Sequence, residues 1–335
     1  MIDPDQPPTA DRLTALLDHG DDEEAVAFLN RLGAADADAR KRVLGAARDA
    51  VDERPSRFEG LAPPLASFLT DADRAVRLTT AKLFVALARS APAVALPAVE
   101  ALAERLADDG EFYYVRARCA EALGYVGRDY PDAVNDPDIL ADFRVGLSFD
   151  EPEVKRKLAK ALEYVALGDP DRLRHQVPAI AEHLDDENDL VRYHLCTALA
   201  AIGCVHPDRL AAARDGLTDR LLDERETTYV RGRAAEALGL MGRGDDDPPS
   251  PPDDIDGDDE DAARFAALRL EFLRTGRTGN PGDEGREVGT PDSLRDSTET
   301  AVESMTSANG EACPHCGLEL PVDGPPTCPR CGSPH

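Results

Sequence analysis

The sequence predicts an all-α solenoid, and two observations carry that prediction. Copies of one motif begin at Val76, Val115, Val154, Val191 and Val230, separated by 39, 39, 37 and 39 residues. A fixed period of about 40 is what stacked helical hairpins leave in a sequence, because each hairpin buries its apolar face only against its neighbours. Within each copy, the apolar positions follow a helix. Counting the valine as zero, small residues stand at offset five (Ala81, Ala120, Ala159, Cys196, Ala235). Large apolar residues stand at offset eight (Phe84, Leu123, Leu162, Leu199, Leu238) and at eleven (Leu87, Val126, Val165, Ile202, Met241). These offsets fall on one stripe of a helix with ~3.6 residues per turn.

Taken in order, residues 1–19 are a polar, Pro-rich segment followed by a short helix from Arg12 to Asp18. The array itself spans 20–243. A helix over Asp22–Leu32 and a degenerate repeat helix over Asp38–Val51 open it, as end repeats that cap a stack depart from the consensus. From Leu61 the pairs are regular, about six in all. First helices are expected after Pro64, Pro97 and Pro178, and over Pro137–Leu147 and Asp208–Leu222. Proline suits a first turn, whose amide has no intrahelical acceptor. An acidic turn (Asp71, Asp109, Asp150, Asp186, Asp223) then precedes each Val-Arg or Val-Lys pair. These acids favour the positive end of the second helix and can pair with the basic residue of a neighbouring repeat.

Residues 244–261 are an acidic, Pro-rich linker with ten acids and no base between 245 and 261. Such composition cannot bury a core. A short amphipathic helix is expected over 262–274, using Phe265, Leu268 and Phe272. Residues 275–310 return to Gly, Ser, Thr and acid, and are expected to be disordered.

The repeat resembles the HEAT family, in particular the short HEAT-like repeats of phycobilisome lyases. The residues that carry the likeness are the Val-Arg pair, the alanine at offset five and the Ala-Leu-Gly of Ala122–Gly124 and Ala237–Gly239. The resemblance covers about residues 20–243. It implies paired helices whose second members line a concave face. It implies no single activity, because the architecture hosts many unrelated ones.

Composition narrows the setting. The chain has 66 acidic against 38 basic residues, a formal net charge of −28. Five of the basic residues are lysine: Lys41, Lys82, Lys155, Lys157 and Lys160. Surplus acid with scarce lysine is similar to proteins of salt-in halophiles. In molar salt the Debye length is only ~3 Å, so self-repulsion is screened. No apolar run approaches the ~20 residues of a membrane span. The start, Met1–Asp5, lacks the basic region and apolar core of a secretory signal. The expectation is a cytoplasmic protein with no membrane partner.

One metal site is legible. Cys313-Pro-His-Cys316 and Cys328-Pro-Arg-Cys331 are separated by eleven residues. Two such knuckles bring four thiolates to the corners of a tetrahedron, which suits Zn²⁺, or iron in a rubredoxin-like centre. Residues 311–335 therefore resemble a short zinc ribbon. Four cysteines close the shell and leave no place for water, so the expected Zn²⁺ is structural. Metal binding would be the folding energy of so small a tail.

Catalytic constellations do not appear. No H-E-x-x-H, Walker loop or G-x-S-x-G is present. Positive charge, however, collects in the motif. The five fourteen-residue windows that start at the valines hold fourteen Arg or Lys against three Glu. Offsets three, six, ten and thirteen are expected to face outward. They give Arg118, Glu121, Tyr125, Arg128, Lys157, Lys160, Tyr164, His194, Thr197, Arg233, Glu236 and Arg243, with Lys82 and Arg89 extending the strip. Two readings stay open: a solvated face that balances local acid, or a groove for an acidic protein partner. Nucleic acid is a second partner class, disfavoured because five phosphate contacts give a slope of about −4.5 in log affinity against log salt. A bilin-lyase-like enzyme is a third, for which no chromophore pocket is legible. The expected function is a non-enzymatic scaffold or adaptor.

Overall fold

The computed structural model describes residues 8–242, 251–257, 259–276 and 288–307. Among them every regular element is helical and no strand occurs. The chain forms two compact units, Met1–Asp150 with Lys157–Asp169, and Glu151–Arg156 with Pro170–His335.

The first unit opens with α1 (Ala10–His19), α2 (Asp22–Leu32) and α3 (Ala37–Val51). Each has a side-chain cap that satisfies an orphan amide of its first turn: Thr9, Asp21 and Asp36 accept from Arg12, Glu24 and Ala39. Then follow α4 (Ala62–Ala66), α5 (Arg74–Ser90), α6 (Pro92–Ala95), α7 (Val99–Ala107), α8 (Tyr113–Asp129), α9 (Pro137–Val145) and α10 (Pro152–Gly168). The Lys157–Asp169 part of the chain, most of α10, belongs to this unit.

The second unit holds α11 (Val177–Ala181), α12 (Asp189–Val205), α13 (Arg214–Leu222) and α14 (Thr228–Met241). Beyond the last motif come α15 (Glu260–Thr275) and α16 (Pro291–Ser307).

The motif stripe is the core. All five valines and all residues at offsets five and eight are fully buried, and only Met241 at offset eleven reaches 6% exposure. The second helices run unbroken for fourteen to seventeen residues. First helices are shorter than the sequence suggests and alternate with 3₁₀ turns at Ser67–Thr70, Leu96–Ala98, Gly146–Ser148 and Pro207–Ala213. Prolines 64, 97 and 178 supply no amide to the preceding turn, so the ladder restarts around them.

Two expectations beyond the array need correction. Residues 275–310 are not all without structure, because α16 occupies Pro291–Ser307. Its buried Leu294, Thr298 and Ala301 are a stripe of helical spacing, too narrow to register against its Ser, Thr and acidic neighbours. The acidic linker also buries something. Ile255 is 2% exposed, the Thr228 hydroxyl donates to the Asp256 carbonyl at 2.7 Å, and Arg274 donates to the Pro252 and Asp253 carbonyls. One isoleucine and its backbone, not its charges, seat residues 251–257 on the C-terminal helices.

Candidate interaction surface on the second helices

The motif's basic residues are turned inward and build a ladder. Arg77 of α5 donates to the Asp71 carbonyl at 2.8 Å and forks onto Glu111 at 2.7 and 2.9 Å. Arg192 of α12 repeats this with the Asp186 carbonyl at 2.6 Å and the carboxylate of Glu226. Lys155 pairs with Asp186, and Arg231 donates to the Leu221 carbonyl at 3.0 Å. Arg116 bonds the Leu106 carbonyl at 2.8 Å, reaches Asp109 at 3.2 Å and stacks on Phe149 at 5.1 Å. The fork acceptors are Glu111 and Glu226, two or three residues beyond the aspartates expected, because a longer side chain reaches a planar guanidinium from a tight turn. Two parallel charge-assisted bonds hold each fork.

The outward strip is overturned for most of its members. Arg118, Lys157, Tyr125, Tyr164, His194 and Arg233 are all buried, Arg233 completely. The reason is the side-by-side packing of second helices. Within each unit, α8 lies on α5 and α14 on α12, so offsets three and six of one helix face its neighbour rather than solvent. Offset thirteen is mixed: Leu167 is buried, whereas the Arg89 side chain is 41% exposed and that of Arg128 23%. Lys160 is half-buried. Arg243, and the tail with Cys313, Cys316, Cys328 and Cys331, lie outside the described residues.

In the first unit the buried charges centre on Glu121 of α8. Arg118 and Lys157 each donate to it at 2.8 Å, and Lys160 stands at 3.4 Å. Burial pushes this carboxyl up, but Lys157, Arg118 and Lys160 together hold it well below the usual carboxylate range. Lys160 also donates to the Tyr125 hydroxyl at 2.8 Å. Burial works against its ammonium, but Tyr125, Tyr164 and Glu121 carry it well above the usual lysine value. The rings of Tyr125 and Tyr164 meet at 4.8 Å, and Lys160 and Arg128 both lie over the pair at 4.7–5.7 Å. Arg89 is close enough for Tyr125 and Glu121 to act on its charge. Gly124 makes the cluster possible, since a Cβ there would stand 2.7 Å from the Ala161 Cα.

In the second unit the same offsets give Arg233 and Glu236 on α14, with different neighbours. Glu236 accepts from Arg233 at 2.6 Å, from Arg269 at 2.8 Å and from the Gly289 amide at 2.8 Å. Burial pushes its carboxyl up, but Arg269, Arg233 and that amide hold it below the usual value. Arg233 also donates to the Tyr193 hydroxyl at 2.8 Å, and Arg269 stacks on Phe265 at 3.4 Å. Burial lowers the Arg269 guanidinium to about 10, the attraction of Glu236 notwithstanding. Arg269 and Gly289 escape the sequence reading because they lie beyond the last motif, where no period marks them.

Two thiols of the array are packed in its core, and Cys204 is half-buried. Cys119 and Cys196 are fully buried, and burial pushes both up, Cys196 to about 12. No group of His, Cys, Asp and Glu suited to a metal occurs among the described residues. Nor is any helix there long and apolar enough to cross a membrane.

Comparison with known proteins places the fold. A profile of HEAT repeats matches residues 150–239. An engineered protein of known structure is similar over 64% of this chain and 99% of its own, with TM-score 0.57 and 21% identity. A designed armadillo repeat protein is similar over 64% and 98%, with TM-score 0.55 and 17% identity. Another, solved in complex with the peptide (KR)4, is similar over 69% and 98%, with TM-score 0.53 and 17% identity. No curated protein matches the chain. At these identities the likeness is one of fold, a solenoid of paired helices.

Proposed function

We propose that this protein is a non-enzymatic scaffold that binds an acidic protein or peptide on its second helices, and that a zinc ribbon ends the chain. The observation that carries the reading is the patch of the first unit, where the Arg89 and Arg128 side chains reach solvent beside Lys160 and the buried, tilted pair of Tyr125 and Tyr164. Arginine is enriched at protein interfaces, and its planar fork suits carboxylates. One designed protein of similar fold was solved with a basic peptide; here the two arginines that reach solvent pair with Asp52 and Asp129, and an acidic ligand would take the place of those carboxylates. Contact rather than long-range attraction supplies affinity in molar salt.

The test avoids the buried arginines. Arg89→Glu with Arg128→Glu reverses the two offset-thirteen charges that reach solvent. Partner capture from an extract of the source cells in 2 M KCl should fall about tenfold, equivalent to ~1.4 kcal/mol. The melting temperature should shift little, since exposed pairs are worth ~0–1 kcal/mol. Unchanged capture by the folded double variant removes this face from consideration.

For the tail, we infer that Cys313, Cys316, Cys328 and Cys331 hold one Zn²⁺ per chain through four thiolates. The support is the spacing of the two knuckles and the softness of the donor set. Elemental analysis of freshly isolated protein should find stoichiometric zinc, and chelation should leave the helical circular dichroism signal nearly intact. Metal-free protein, or iron in place of zinc, refutes the assignment.

A further inference from the structure

α16 is not a repeat. It carries no Val-Arg pair, and it lies against α12 of the second unit. Three side chains, Leu294, Thr298 and Ala301, bury its inner face. Ser304 bonds the Tyr229 hydroxyl of α14. At its centre Ser297 meets two guanidiniums. Arg233 donates to the Ser297 hydroxyl at 3.1 Å and Arg269 at 3.2 Å. That hydroxyl spends its own proton on the Ser293 carbonyl at 2.6 Å. Its lone pairs thus face two cations, in a floor where Arg233 and Glu236 are fully buried.

A hydroxyl is a weak acceptor for two buried cations; a carboxylate would form charge-assisted bonds roughly twice as strong. The apolar face of α16 is also narrow for a helix of seventeen residues rich in Ser, Thr and Asp, which have low helix propensity. The groove is therefore better built than its occupant. We propose that α16 is a ligand in cis, and that its groove on α12, α14 and α15 is the docking place for an amphipathic helix of a partner carrying Asp or Glu where α16 carries Ser297. This rests on the reading of the protein as a scaffold, and it assigns that role to a second surface.

Two experiments on the full chain test it. In the first, Ser297→Asp puts the carboxylate in cis. Amide exchange over 291–307 should slow about tenfold relative to wild type. Unchanged or faster exchange overturns the proposal. In the second, Leu294→Asp releases α16 and opens the groove. A fluorescein-labelled peptide of residues 288–307 carrying S297D should bind this variant about tenfold more tightly than it binds the wild-type chain. It should also bind about tenfold more tightly than the unsubstituted peptide. Equal affinities overturn the proposal. So does loss of exchange protection in α14 of the Leu294→Asp chain, because α16 would then belong to the core. The Arg89 and Arg128 variant is read in the other unit, so either result can fail without the other.

Discussion

Glu121 and Glu236 occupy offset six of the two fullest motifs, each surrounded by cations and cut off from water. Both carboxyls sit below their ordinary value despite burial, which by itself would raise them. A depressed carboxylate contributes stability that is present above its unfolded value, ~4.3, and is lost as pH falls through the folded value. Glu236→Gln should destabilise the chain by about 3 kcal/mol at pH 7, because it leaves Arg233 and Arg269 buried against a neutral amide. The same variant should lose less stability than wild type between pH 6 and pH 3, having no carboxylate there to protonate. Chemical denaturation across that range reads both effects, and parallel curves for the two proteins would sink the assignment. The acid at a fixed offset within a basic strip was visible in the sequence. Its meaning was not, because the helical wheel of one repeat cannot show that the next helix covers the polar flank of the stripe. Arg118, Lys157 and Arg233 read as solvent-facing for the same reason.

Close helix packing depends on which glycines have room. Within α8, Gly124 leaves no space for a Cβ, since the nearest atom is backbone of α10 at 2.7 Å. On α3, Gly45 has nothing within 4 Å. Alanine is the better helix former by ~1 kcal/mol, so Gly45→Ala should stabilise by about that amount. At Gly124 the same propensity gain competes with overpacking against a backbone that cannot rotate away, at a cost of ~1–3 kcal/mol. Overpacking should win, and Gly124→Ala should lower the unfolding midpoint while Gly45→Ala raises it. Shifts of the same sign would show that α10 can withdraw from α8. The second helices were legible to within a few residues because valine, alanine and leucine recur at fixed offsets along them. The first helices were legible as elements and not in length, since proline placement fixes their breaks. Nothing periodic announces α16, whose docking depends on three residues and on a floor supplied by elements far away in sequence.

At the scale of the whole molecule, two kinds of charge respond differently to salt. The net charge is −28, the acids among the described residues are mostly exposed, and their mutual repulsion opposes any compact state. The pairs around Glu121, Glu226 and Glu236 are buried, and mobile ions hardly reach them. Raising ionic strength therefore removes the repulsion and leaves these attractions nearly intact. The Debye length falls from ~10 Å at 0.1 M to ~3 Å at 1 M, shorter than most separations between surface acids. The melting temperature should rise steadily from 0.1 to 3 M KCl, with most of the gain below 1 M, where screening changes fastest. KCl is the appropriate salt, because sulfate would also strengthen apolar burial and confuse the two causes. Replacing exposed aspartates such as Asp185, Asp208 and Asp219 by asparagine should flatten the dependence, raising the midpoint in dilute buffer more than in 3 M KCl. A midpoint insensitive to KCl, or one that falls, would mean that surface repulsion is not what limits this chain, and the halophilic reading of its composition would have to be abandoned.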